Sequence, residues 1–228
     1  YNFNVGRLYF MAKKIRIPDY TLGEEITNAI THGLGAIFSI VALVMMIVKA
    51  AHDKNTALCF VVLAVYGTFM FITYIISCIY HGLSPRLKDK MVLRVIDHCD
   101  VYLLVLGSIT AVALLGVKGI YGWILFTCAF AVNVVGIVFT AIDVDKYSKL
   151  SVFCHLLSGW YVLFFIRPLI ANASVYAFYL ILAGGISYSL GAILYWLGKK
   201  VKYMHSVFHV FVFAGSVLQW LAIYLYMI

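Results

Sequence analysis

Lys199–Trp220 reads KKVKYMHSVFHVFVFAGSVLQW, and its change of character decides the fold. Lys199, Lys200 and Lys202 give way to an apolar run, with His205 and His209 just inside it. A basic cluster followed by a long apolar stretch is the pattern of a helix entering a bilayer from its positively flanked side. Four residues apart, the two histidines lie on one helical face, one turn above the other. Imidazoles at that spacing can share one transition metal ion; they can equally be interfacial histidines hydrogen-bonded to neighbouring helices. Polar residues one to two turns inside a hydrophobic segment are costly and usually functional.

Composition extends this reading to the whole chain. Of 228 residues, 64% are hydrophobic and 11% charged, against roughly 25% charged in soluble domains. That apolar excess exceeds what a soluble core of this size can hide, so the chain is expected to live in a bilayer. The net charge of +8 then reports topology first and gives no reason to expect a nucleic-acid partner. Cys59, Cys78, Cys99, Cys128 and Cys154 lie in or beside apolar segments without a CxxC pair. They read as buried thiols.

Seven segments are long enough to cross about 20 residues of hydrocarbon: roughly 26–50, 55–82, 92–115, 119–141, 149–170, 174–197 and 203–227. The fold class is therefore an all-α integral membrane protein, a seven-transmembrane helix bundle. Residues 26–228 form its single domain, and residues 11–25 form an N-terminal segment on the cytoplasmic side. Residues 1–10 read as a remnant foreign to the natural chain, which would start at Met11. Gly184, Gly185, Ser187 and Gly191 give the sixth segment a small-residue face suited to close helix packing. Thirteen Lys and Arg fall on the side of the N-terminus and four on the other. This places the N-terminus in the cytoplasm and the C-terminus outside.

That topology gathers polar residues at one depth. His81 ends the second segment at the face where His205 and His209 begin the seventh. Asp97, His98 and Asp100 open the third segment from that side, Glu24, Glu25 and His32 the first, and Cys154 and His155 the fifth. Of the seven histidines, His52 alone falls on the opposite side.

Three histidines, His81 with His205 and His209, would make a three-ligand site of the kind that leaves a fourth position for water or substrate. Asp97 is the best-placed carboxylate to accept a proton from water or to orient it. Ser77, one turn before His81, would donate to a water or a substrate oxygen, or bond its own backbone carbonyl. Asp100 could replace Asp97 or serve packing. His98 points about 100° away from Asp97 on the helix, which suits a structural role. His155 reads as a fourth ligand, a partner of the ligands, or a helix-start histidine. His32 and the two glutamates would gate the site or form a solvated helix start. No GxSxG, P-loop or HExxH motif competes.

The combined pattern is S-x3-H, D-H and H-x3-H, carried by EEITNAITHGLG (24–35), SCIYHGLSP (77–85), VIDHCDVYLLVLGSIT (95–110) and HSVFHVFVFAG (205–215). It resembles the hemolysin III-like bacterial membrane proteins of the progestin and adipoQ receptor family, relatives of the adiponectin receptors. The resemblance implies one zinc ion per chain near the cytoplasmic face, on His81, His205 and His209. It also implies that Ser77 and Asp97 stand beside the metal, and that the chain is a multi-pass protein of a bacterial cell (inner) membrane. A metal-dependent hydrolase of lipid amides or esters, acting in membrane homeostasis with a membrane lipid or free fatty acid as substrate or ligand, is the first functional expectation. A membrane-fluidity sensor with a structural zinc is the second, and haemolytic pore formation the third. Many relatives read G-T-Y-T-P where this chain has Gly107-Ser108-Ile109-Thr110-Ala111, so a proline kink is not expected there.

Overall fold

The computed structural model describes residues 17–84, 86–87 and 89–228. The expectations for residues 1–10 and for Met11 lie outside these, as do five of the charges counted for orientation, Arg7, Lys13, Lys14, Arg16 and Lys88. Seven helices are long and apolar enough to cross a membrane: α1 Leu22–His52, α2 Ala57–Gly82, α3 Asp89–Val117, α4 Gly119–Ile142, α5 Ser148–Asn172, α6 Val175–Leu197 and α7 Met204–Tyr226. The described residues include no strand. The helices start and stop within a few residues of the expected spans, and the largest extension is at the start of α1. There Thr21 accepts the Glu24 N–H at 3.3 Å, and the Glu24 carboxylate accepts the Thr21 N–H at 2.8 Å. This capping box satisfies otherwise orphaned amide groups and lets the helix begin before the apolar run.

The bundle is apolar outside and comparatively polar within. In α1, Ile26, Ile30, Leu34, Ile37, Val41, Val44 and Val48 are exposed, three or four residues apart, while Glu25, Asn28, His32, Ser39 and Ala42 are buried. A soluble helix buries the first set. In lipid the tails already match Leu and Ile, so the inner face is free to carry small and polar residues that pack closely and hydrogen-bond. The ties are specific: the Tyr74 hydroxyl donates to Ser216 Oγ at 2.6 Å, and Asn133 Nδ2 to Ser158 Oγ at 2.6 Å. The small-residue face of α6 is used as expected. A Cβ on Gly184 would come within 3.2 Å of the Gly215 carbonyl on α7, and Ser187 donates to the Phe211 carbonyl at 2.7 Å.

The chain winds α1–α2–α3–α4–α5, and α7 packs against both α6 and α1. Of the spans, α3 is the most enclosed, so its polar residues face the interior from the middle of the bundle. It runs as a regular α-helix through Ala111, as the absence of proline predicts, then changes to a π-helical turn over Val112–Val117. Likewise α5 is interrupted by a 3-10 segment, Tyr161–Phe165.

Candidate metal centre

His81 lies in the last turn of α2, and His205 and His209 in the first two turns of α7. All three are buried, at 2%, 6% and 1% exposure. One ring nitrogen from each falls within a group spanning no more than 4.8 Å, an arrangement that could hold a metal ion. His205 Nε2 and His209 Nε2 are 3.1 Å apart; two ring nitrogens so close need a proton or a cation between them.

The third ring is oriented by its surroundings. His81 Nδ1 meets Glu25 Oε2 at 2.6 Å, with Asn28 Nδ2 at 3.4 Å. The carboxylate draws the ring proton to Nδ1 and leaves a lone pair on Nε2. That Nε2 is buried and has no hydrogen-bond partner among the described residues. A carboxylate behind a histidine, with the far nitrogen free, is the usual support of a metal ligand. The donor set fits a first-row transition ion or zinc.

The surroundings extend across four helices. Lys90 of α3 is fully buried; its Nζ donates to Glu25 Oε1 at 2.6 Å and to the Leu83 carbonyl at 2.7 Å. The Ser206 hydroxyl donates to Asn28 Oδ1 at 2.6 Å. Glu24 Oε1 accepts the backbone N–H of Tyr203 at 2.7 Å, fastening the start of α7 to α1. Tyr203 itself takes a left-handed conformation, φ 63°, to turn the chain into the helix. A solvated helix start for Glu24 and Glu25 is therefore corrected: both are buried, and both carry load-sharing contacts of the centre. The polarity of a helix N-terminus hid this in the sequence.

Two rings cover the histidines. Tyr20, which precedes α1, stacks on His205 with centroids 4.9 Å apart, and His32 stacks on His209 at 3.7 Å. Burial raises the Tyr20 phenol above its ordinary pKa, so it stays a neutral hydroxyl.

A cavity of about 160 Å³ opens from His205 and His209 into the bundle. Ser77, Asp97, Asp100 and His155 line it at the polar end, while Leu104, Ile109, Phe178 and Val212 line its depth. On the other side of His205 is a polar vestibule of about 380 Å³, bordered by Tyr20, Arg94, Lys199 and Lys202. His98, Tyr195 and His205 border both spaces.

The remaining residues singled out in the sequence fall as follows. His98 is held by the Arg94 carbonyl at 2.8 Å, with Asp97 Oδ2 at 3.5 Å and the Tyr195 hydroxyl at 3.4 Å, an interfacial position. His155 is outside the three-histidine group and stacks on Tyr102 with centroids 3.7 Å apart.

Seven spans enclosing a buried three-histidine group define a polytopic membrane protein with a candidate metal centre inside one leaflet-facing end of its bundle. The haemolysin-III related family model matches residues 20–220, and the chain belongs to the haemolysin III family, within the progestin and adipoQ receptor proteins. It is 36% identical over 218 residues to Hemolysin-3 of Bacillus cereus, covering 96% of this chain and 98% of that protein. It is also 36% identical over 207 residues to the Hemolysin-3 homolog of Bacillus subtilis (strain 168), covering 91% of this chain and 96% of that one.

Proposed function

We propose that the protein is a zinc-dependent hydrolase of lipid amides or esters that serves membrane homeostasis in a bacterial cell membrane, with its N-terminus in the cytoplasm. The observation that carries the reading is the buried group of three histidines, two of which, His205 and His209, border a largely apolar cavity that Asp97 and Ser77 also line. His81, His205 and His209 would hold the metal. Zinc with three protein ligands supplies Lewis acidity towards a substrate carbonyl and towards water.

The chain's own groups do the rest. Glu25 fixes the tautomer of His81. Asp97 takes the proton of the attacking water and passes it to the leaving amine or alcohol. Ser77 donates to the carbonyl oxygen. The apolar depth of the cavity holds the acyl chain and keeps bulk water out, and the polar vestibule beyond His205, with Lys199, Lys200 and Lys202 on its border, suits release of a carboxylate product. The test is hydrolysis of a fluorogenic long-chain acyl amide by purified protein. Activity lost in Asp97→Ala with metal content unchanged supports the reading; activity retained in that variant refutes Asp97 as the base.

A non-enzymatic sensor of membrane state is the second reading, favoured by the ties that join α1, α2, α3 and α7 around the histidines. Metal there would staple the bundle, and the outcome expected of the same assay is metal-dependent thermal stability without product. The relatives' name carries a third reading, haemolysis. Against it, the described Lys and Arg side chains gather at the helix ends, and no row of them follows a path through the bundle.

A further inference from the structure

Asp100 lies one turn beyond Asp97 on α3, 3% exposed, and lines the cavity. Both of its carboxylate oxygens are buried without a hydrogen-bond partner among the described residues. His155 Nε2, across the cavity on α5, is likewise buried and unpartnered. Neither group belongs to the three-histidine set. The protein nonetheless keeps both in place. The Asp100 carbonyl accepts from Thr73 Oγ1 at 2.9 Å. The His155 ring lies on Tyr102, whose hydroxyl donates to Ser151 Oγ at 2.9 Å. Buried polar groups are normally satisfied, and an exception calls for an explanation such as a ligand.

We propose that Asp100, with His155, is a specificity site for a hydroxyl on the acyl chain, so that the substrate class is a 3-hydroxyacyl amide or ester. This rests on the hydrolase reading for which end of the lipid sits at the histidines. With the carbonyl beside Asp97, the tail runs towards Leu104 and Ile109 and passes Asp100. Three helical residues advance about 4.5 Å. An extended chain advances about 1.2 Å per bond, so the hydroxyl oxygen of a 3-hydroxyacyl chain, three bonds from the carbonyl carbon, comes within hydrogen-bond reach of a group about 4.5 Å further along the helix. A hydroxyl there donates to the Asp100 carboxylate and pairs with His155. An unsubstituted chain leaves both groups desolvated and unpaired, the situation in which a polar site discriminates most strongly.

The test is equilibrium binding to purified protein in detergent, read by displacement of a fluorescent fatty acid and therefore independent of turnover. The probes are tetradecanoic acid and its 3-hydroxy and 12-hydroxy derivatives. Wild type is expected to bind the 3-hydroxy acid about tenfold to a hundredfold more tightly than the unsubstituted acid, with no such gain for the 12-hydroxy acid. Asp100→Asn, which keeps shape and fold, should reduce that preference at least tenfold. Equal binding of all three acids by wild type, or a preference untouched by Asp100→Asn, overturns the proposal. Binding preference with no hydrolysis of any acyl amide supports the hydroxyl site and sinks the hydrolase reading alone.

Discussion

Glu25, in the first turn of α1, holds His81, in the last turn of α2, through a 2.6 Å contact between carboxylate and imidazole. Two residues 56 positions apart are thereby made one unit, with the free ring nitrogen turned towards His205 and His209. Replacing Glu25 by Gln keeps the volume and removes the charge. Metal affinity should fall about 10- to 100-fold, measured by chelator competition on folded protein, and the metal-free variant should also unfold at lower temperature, because the buried Lys90 loses its counter-charge. Unaltered affinity would refute the supporting role.

Metal content is the most direct measurement on the centre. Elemental mass spectrometry on purified protein should find about one zinc per chain, lost in His81→Ala, His205→Ala and His209→Ala and kept in His52→Ala. His52 is exposed at the far end of α1 beside Asp53, so it controls for adventitious binding to imidazole. A folded wild type purified without chelators and carrying no metal would sink the hydrolase mechanism.

Among the described residues Lys90 is the one cation drawn fully into the centre, and it serves Glu25 rather than solvent. Lys90→Met fills the space but leaves a buried carboxylate facing a neutral chain. Removing one partner of a buried pair costs about 3–5 kcal/mol, so this variant should unfold at clearly lower temperature or denaturant. The double variant Lys90→Met, Glu25→Leu should recover much of the loss. A single variant as stable as wild type would contradict the pairing.

Packing predicts a separate cost. A Cβ on Gly136 of α4 would collide with the Tyr102 ring, which is pinned between Ser151 and His155. Gly136→Leu should destabilise by about 1–3 kcal/mol and, by tilting the His155 ring, widen the cavity wall. Thermal or denaturant unfolding of the two proteins would read the cost; a variant as stable as wild type would show that the Tyr102 ring moves aside without strain.

The proposed direction of insertion, with the basic clusters in the cytoplasm, has its own test. A phosphatase active only outside the cell should be active when fused after Ile228 and inactive when fused within the 143–147 connection. The reverse result would invert the bundle and put the vestibule outside.

The spans were legible because hydrocarbon thickness imposes a length on every segment, and composition alone meets that demand. The histidines were legible because helix ends fix depth: once the spans were drawn, His81, His205 and His209 had to share a level. What depth does not fix is rotation about each helix axis. Glu25 and Lys90 are 65 residues apart, and nothing in either local sequence says that the lysine side chain turns inward. Glu25 read as a gating residue or a charge at a solvated helix start, and Lys90 as one of the loop charges counted for orientation. The same ambiguity applied to Asp97 and Asp100, which differ by one turn and both prove to face the cavity. A buried cation beside a buried glutamate emerges only when helices are packed.

The clasp between Glu24 and the Tyr203 amide has a consequence for how the protein is made. Helices enter the membrane in order of synthesis, and this contact joins α1 to the start of α7. The histidine group therefore does not exist while α1 to α6 alone are inserted; it comes into being when α7 docks. Any ion held by all three histidines is acquired after α7 has docked, and a chain truncated before Met204 carries one ligand of the three.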